Sequence, residues 1–149
     1  MSSPGLLLSS QLCFLVYRLD KAIASRYRPL LAELGLTYPQ YLAMLALWER
    51  DDLSVGELCA ILHLDTGTVS PLVKRMEAAG LVERNRSPED ERSVNVRLSD
   101  AGRALERRAE GVPGAMAACL LADAEEYVTL KSTLSALVDR VESPSCGRN

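Results

Sequence analysis

The chain has 149 residues, 48% of them hydrophobic and 25% charged, with a net charge of −3. That length is enough for one domain with a substantial apolar core. An acidic chain has no overall basic signature for nucleic acid, so a nucleic-acid site must depend on local geometry. The N-terminal segment resembles neither a signal peptide nor a membrane span, so we expect a cytoplasmic protein with no membrane partner.

Helical spacing of apolar residues and capping signals predict six helices in chain order. They cover about residues 7–34, 37–49, 54–62 and 65–80, then a fifth helix that begins after Ser99, and about 123–141. Ser9 or Ser10 is the expected cap of the first helix, and Gly35 is expected to end it. Two alternating segments around the turn at 87–90 predict a β-hairpin. The chain is therefore predicted to be mostly α with a two-stranded β wing: a winged helix–turn–helix with its fourth helix in a major groove.

Hydroxyl side chains at the start of the fourth helix suit base edges and phosphates, and basic side chains further along suit phosphates. The residues predicted to contact DNA are Thr66, Thr68, Ser70, Pro71, Lys74, Arg75, Arg86, Asp90 and Arg92. Pro71 either contacts a thymine methyl group or only shapes the helix. Asp90 and Arg92 either brace the hairpin, so that Arg92 or Arg86 enters a minor groove, or form an ordinary charged turn. The apolar residues of this helix are predicted to lie in the core.

The cysteines carry the second functional signal. Four cysteines without a CxxC pair, and a single histidine, argue against a metal site, and no cofactor is expected. Cys13 is predicted to lie in the first turns of a helix, which favours its thiolate, and Tyr17 follows one turn later. Three of the five tyrosines, at positions 17, 27 and 38, could donate hydrogen bonds to a thiolate. The pattern predicts a peroxide-sensing thiol; the alternative is a buried structural cysteine.

The order of elements, the run at 64–77 and the Asp90-x-Arg92 wing resemble the MarR family over about residues 7–142. Within that family, Cys13 and the three tyrosines are similar to the branch of organic-hydroperoxide-sensing repressors (OhrR). The resemblance implies one winged-helix domain over residues 1–149. Its DNA-reading lobe would cover about 37–98, and its dimerisation helices about 7–34 and 99–142.

The same resemblance implies a homodimer, joined by its first and last helices, that binds a pseudopalindromic operator and leaves it when an organic hydroperoxide oxidises Cys13. Tyr27 and Tyr38 of the partner subunit would donate hydrogen bonds to the thiolate, and Tyr17 would line the pocket. Cys119 lies where a second redox-sensing cysteine is expected. Cys146 or a small thiol are alternative partners for the oxidised sulfur, and Cys59 is predicted to lie in the core.

Two other functions stay open on the sequence. A repressor of this family that responds to a small phenolic ligand would need no cysteine chemistry. An enzyme such as a thiol peroxidase would also use a thiolate, but the chain has no CxxC pair or catalytic histidine to support turnover. We therefore expect a regulator and no enzyme.

Overall fold

The computed structural model describes residues 4–86 and 93–143. Helices and strands follow in the order α1 (Leu12–Ala32), α2 (Tyr38–Glu49), β1 (Leu53–Ser54), α3 (Val55–Leu62), α4 (Thr66–Ala78), β2 (Val82–Arg86), β3 (Val94–Leu98), α5 (Asp100–Ala109), α6 (Gly111–Leu120) and α7 (Ala124–Glu142). The chain divides into two compact units, one ending at Val112 and the other beginning at Pro113. The single domain over 1–149 stays a prediction.

The capping signals in the sequence place the starts of α2 and α3 correctly. Thr37 begins α2 with a capping box, in which its hydroxyl accepts from the Gln40 amide and the Gln40 side chain accepts from the Thr37 amide. Ser54 and Glu57 form the same reciprocal pair at the start of α3. Gly35 adopts the left-handed conformation beyond α1 (φ +69°), as expected of a residue that ends a helix.

The predicted start of the first helix is wrong. Residues 4–10 form two short 3-10 turns, and Leu7 and Gln11 are extended, so the helix cannot continue through them. Gln11, rather than Ser9 or Ser10, is the N-cap of α1, and its side chain accepts no hydrogen bond there. Its amide nitrogen instead donates to the carbonyl oxygen of Gly5 at 2.7 Å. Cys13 nevertheless lies in the first turn of α1, as predicted.

The wing has a third strand that was not predicted. The antiparallel order is β1-β3-β2, with Leu53 opposite Val96 and Val82 opposite Leu98. All four of these side chains are buried, and they continue the core that lies between α2, α3 and α4. The sheet is therefore fixed to the helix–turn–helix at its base, while residues 87–92 at the predicted tip lie outside the described residues.

The second unit contains most of α6, which was not predicted as a separate helix, and α7, which was. Asp123 caps α7 by accepting from the amide of Glu126 at 2.8 Å. The predicted apolar side of α7 is exposed at Val128, Leu130, Leu134 and Val138 in a single chain. No helix in the described part of the chain is both long and apolar enough to span a bilayer.

Candidate DNA interface and thiol site

Helix α4 has one buried and one exposed side. Val69, Leu72, Val73 and Met76 are buried, which confirms their predicted place in the core. The opposite surface consists of polar, basic and small side chains. Thr66, Thr68, Pro71, Lys74 and Arg75 are exposed and Ser70 is half-buried. Because α4 is held by its apolar side, its hydroxyl and basic groups face outward together.

Asp65 sets the start of this helix. Its carboxylate accepts from the amide of Thr68 at 2.8 Å and from the Thr68 hydroxyl at 3.1 Å. The preceding turn reverses the chain at His63, which adopts the left-handed conformation (φ 52°) at the end of α3. The helix–turn–helix therefore has a cap that fixes the first turn of α4, where Thr66 and Thr68 lie.

The two basic residues of β2 differ in whether they pair with another residue that the structure describes. The Arg84 guanidinium contacts the Glu77 carboxylate of α4 at 2.7 Å, and the Arg84 amide donates to the same carboxylate. The hydrogen bond to the Arg84 side chain, the largest of several causes, holds the Glu77 pKa below its usual range. Arg86, at the end of β2, is exposed. Asp90 and Arg92 lie outside the described residues.

A polar cluster at the base of the wing was missed by the sequence reasoning. Asp51, between α2 and β1, accepts from the Leu98 amide at 2.9 Å and contacts the Arg103 guanidinium at 2.6 Å. Its neighbour Asp52 accepts from the Asn95 side chain at 3.2 Å. The cluster joins the end of α2, strand β3 and helix α5. Its hydrogen bonds join residues 43 to 52 positions apart in sequence, so no local pattern reveals it.

Cys13 is exposed in a single chain, and Tyr17 follows one helical turn later. The Tyr17 ring lies against Phe14 at a centroid distance of 6.4 Å, and the Lys21 ammonium lies 5.5 Å from its centroid. An aromatic and cationic stretch of α1 therefore follows directly after Cys13.

The structure brings Tyr27 and Tyr38 together. Their rings stack at a centroid distance of 4.4 Å, which joins α1 to the first residue of α2. Burial raises the pKa of the Tyr27 phenol. Burial, and then the neighbouring Tyr27, raises the pKa of Tyr38. Both phenols therefore remain protonated at neutral pH and keep their hydrogen-bond donors.

The structure does not bring these two tyrosines to Cys13 of the same chain. Cys13 and Tyr27 lie fourteen residues apart on one continuous helix. At 1.5 Å per residue, that spacing separates them by about 21 Å along the axis. A hydrogen bond between the thiol and these phenols therefore requires a second chain.

The other cysteines occupy different environments. Cys119 is an exposed free thiol on α6. Cys59, predicted to lie in the core, is half-buried against it, with its sulfur 3.8 Å from the Thr66 hydroxyl. Cys146 lies outside the described residues. Among residues 4–86 and 93–143, no group of three or more His, Cys, Asp or Glu side chains could hold a metal ion.

Comparison with known proteins decides the family. The sequence model of the MarR family matches residues 34–93. The organic hydroperoxide resistance transcriptional regulator of Bacillus subtilis is 44% identical over 132 residues, which cover 89% of this chain and 90% of that protein. The chain belongs to the MarR family.

Two solved MarR-type structures resemble the chain over nearly its whole length. Reduced AbfR of Staphylococcus epidermidis bound to DNA has a TM-score of 0.82 and 30% identity, covering 95% of this chain and 97% of that one. The PcaV transcriptional regulator of Streptomyces coelicolor, in complex with its natural ligand, has a TM-score of 0.84 and 26% identity, covering 95% and 100%. The Bacillus subtilis protein and PcaV are transcriptional regulators rather than enzymes. The predicted winged helix–turn–helix is thus confirmed.

Proposed function

We propose that this MarR protein is a homodimeric repressor that binds operator DNA and is released when an organic hydroperoxide oxidises Cys13. The observation that carries the proposal is the placement of an exposed thiol at the start of α1, with Tyr27, stacked on Tyr38 of α2, towards the far end of the same helix. Two such helices that run antiparallel would bring each thiol to the partner's phenols. The identity with a hydroperoxide resistance regulator supports the same reading.

The apolar surface of a single chain supports the dimer. Leu12, Leu15, Val16 and Leu19 on α1 are all more than 40% exposed. The apolar residues of α7 are similarly uncovered. Monomeric proteins rarely leave contiguous apolar surface of this kind in water, since burying it is favourable. We infer that both helices pack against a second copy of the chain.

The chemistry needs the thiolate, one peroxide and one further thiol. The Cys13 sulfur attacks one peroxide oxygen, the O–O bond breaks, and the remaining alkoxide takes a proton and leaves as the alcohol. Cys13 is oxidised to a sulfenic acid. A second thiol, Cys119 or a small thiol, then attacks that sulfur, forms a disulfide and releases water. Apolar neighbours such as Leu12, Leu15 and Val16 favour organic peroxides over hydrogen peroxide.

Operator binding depends on the exposed side of α4. Thr66, Thr68, Ser70 and Pro71 would meet base edges and nearby phosphates, while Lys74 and Arg75 would meet phosphates. Arg86 on β2, or Arg92, would enter the minor groove, and Asp90 would pair with Arg92 to brace the hairpin. Two copies related by a dimer axis read two half-sites, so the operator is pseudopalindromic. Oxidation that moves the first helix would turn the two α4 helices out of register with those half-sites.

The test combines gel electrophoresis under non-reducing conditions with operator binding, before and after stoichiometric cumene hydroperoxide. The variants are Cys13→Ser and Cys119→Ser. We expect the wild type to leave the operator and Cys13→Ser to stay bound. A disulfide-linked dimer that is lost in both variants identifies Cys119 as the second thiol, and one that survives Cys119→Ser identifies another cysteine. Unchanged thiols in a wild type that responds to a small phenolic ligand would refute the thiol mechanism.

A further inference from the structure

We propose, on the basis of the function proposed above, that Trp48 is a positioning residue. It would couple the Tyr27–Tyr38 pair to the base of the wing. The chain of contacts begins at the stacked Tyr27–Tyr38 pair. Tyr27 also lies against Tyr41, with ring centroids 5.7 Å apart. Tyr41 is only 1% exposed, so its ring is enclosed by the core on every side.

Trp48 continues the chain along α2. Its indole ring meets the Tyr41 ring edge-on, with a centroid distance of 6.4 Å and an interplanar angle of 69°. Its indole nitrogen donates to the carbonyl oxygen of Gly102 at 3.0 Å. Trp48 therefore joins the aromatic cluster of α1 and α2 to the first turns of α5.

The first turns of α5 are in turn fixed to the wing. The Ser99 hydroxyl caps the helix by accepting from the Gly102 amide and donates to the Gly80 carbonyl oxygen at 2.6 Å. The Ser99 amide donates to the Leu81 carbonyl oxygen at 3.0 Å. A displacement of the Gly102 backbone therefore acts on residues 80–82, where β2 begins.

The coupling follows from close packing. Closely packed interiors respond to a small displacement by moving neighbours together, because few voids are available to absorb it. When oxidation removes the thiolate that the Tyr27 and Tyr38 hydroxyls are proposed to hold, their stacked rings lose one restraint. Tyr41 and Trp48 then transmit the new ring position to the Gly102 carbonyl. The coupling depends on the indole N–H in particular, because its hydrogen bond to Gly102 fixes where the Trp48 ring contacts α5.

The test replaces Trp48 with phenylalanine, which retains an aromatic ring and removes the N–H donor. We measure operator affinity of the reduced and oxidised dimers, and we verify Cys13 oxidation separately by mass spectrometry. The expected result for Trp48→Phe is normal Cys13 oxidation but a ratio of reduced to oxidised affinity that is about 2- to 30-fold smaller than in the wild type. Leu45→Met, an exposed apolar position on the same helix, is the matched control and should keep the wild-type ratio.

A second measurement does not depend on the folding of a variant. Trp48 is the only tryptophan in the chain, so tryptophan fluorescence, excited selectively over the tyrosines, reports on this residue alone. Emission should change when hydroperoxide oxidises the wild type and should stay constant in Cys13→Ser. A wild-type affinity ratio in Trp48→Phe, or constant Trp48 emission in a wild type that has released its operator, overturns the coupling and leaves the proposed function standing. A wild type whose Cys13 resists oxidation overturns both.

Discussion

The backbone of Gly102 in α5 packs directly against the carbonyl oxygen of Leu81, so closely that a Cβ at position 102 would overlap it. The same hypothetical Cβ would also lie 3.1 Å from the Leu81 carbonyl carbon and 3.3 Å from a methyl group of Leu98. Backbone cannot move away as the end of a flexible side chain can. Only glycine at position 102 therefore lets α5 pack this closely against the base of the wing.

Gly102→Ala should destabilise the fold by roughly 1–3 kcal/mol, although alanine is the better helix former, because the overlap forces α5 away from β2 and β3. Gly56→Ala in α3 is the matched control, since its Cβ would meet only the Ser54 hydroxyl oxygen at an ordinary 3.8 Å. The free energies of unfolding of the two variants, measured in urea, test this prediction. Equal stability of both variants would contradict the packing described for Gly102.

Asp51→Asn should weaken the fold by about 1 kcal/mol at neutral pH, because it removes a charge-assisted contact with the partly exposed Arg103. Burial alone would raise the Asp51 pKa, but the amides of Leu98 and Asp52 and the Arg103 guanidinium lower it more, so the net shift is downward. A lowered folded-state pKa contributes stability above the unfolded-state pKa, near 4 for aspartate. That contribution is lost as pH falls through the folded-state value.

The difference in free energy of unfolding between wild type and Asp51→Asn should therefore be full at pH 7 and shrink progressively below about pH 4. Glu106→Gln, at an exposed position on α5, is the control for removing a carboxylate outside the polar cluster. Chemical unfolding at a series of pH values measures both. A difference that stays constant down to pH 2 would show that the Asp51 carboxylate does not contribute as a charge.

Asp65→Ala should cost about 1 kcal/mol of stability, because the first-turn amide of Thr68 loses its acceptor. Asp65→Asn retains a capping oxygen and should recover most of that loss. Operator affinity should fall with Asp65→Ala as well, since the cap orders the turn that carries Thr66 and Thr68. Thermal unfolding and operator titration of both variants test this, and equal behaviour of alanine and asparagine would contradict it.

Lys74→Gln and Arg75→Gln should each reduce the slope of log affinity against log salt concentration by about 0.9, because each is predicted to neutralise one phosphate. The loss should be similar on operator and unrelated DNA, since phosphate contacts carry no sequence information. Arg107→Gln on α5, outside the helix–turn–helix, is the control. An unchanged slope in both α4 variants would place the DNA elsewhere on the protein.

Local signals in the sequence were sufficient for much of the fold. Each of these signals acts within a few residues, and each was found where predicted: the capping boxes at Thr37 and Ser54, the helix cap at Asp65 or Thr66, and the alternation of the wing strands. Helix α6 was not predicted, because Gly111, Pro113 and Gly114 have poor helix propensity. Pro113 is nevertheless acceptable in the first turn, where its missing amide is not needed.

The remaining features depend on residues far apart in the chain. Strand β1 has two residues and exists because Leu53 pairs with Val96. The Asp51–Arg103 contact spans about fifty residues, and the Trp48–Gly102 hydrogen bond a similar number. For the thiol site, sequence identified Cys13 and its tyrosines as candidates. The predicted helix over about 7–34 already implied that Cys13 and Tyr27 are far apart along it, and α1 is indeed continuous from Leu12 to Ala32. The stacking of Tyr27 on Tyr38 of α2 was not predicted, because no local signal reveals a contact between two helices.

The separation of Cys13 from Tyr27 has a genetic consequence. Because Cys13 lies at the start of α1 and Tyr27 near its end, the proposed sensing site would combine the thiol of one polypeptide with a phenol of another. Chains carrying Cys13→Ser and Tyr27→Phe, each defective alone, should restore a response when made together, since every mixed dimer contains one complete thiol–phenol pair. Both lesions on one chain, paired with a wild-type partner, leave no complete pair in the mixed dimer. The mixed dimer should therefore respond when the two substitutions are on different chains, and should not respond when both are on the same chain.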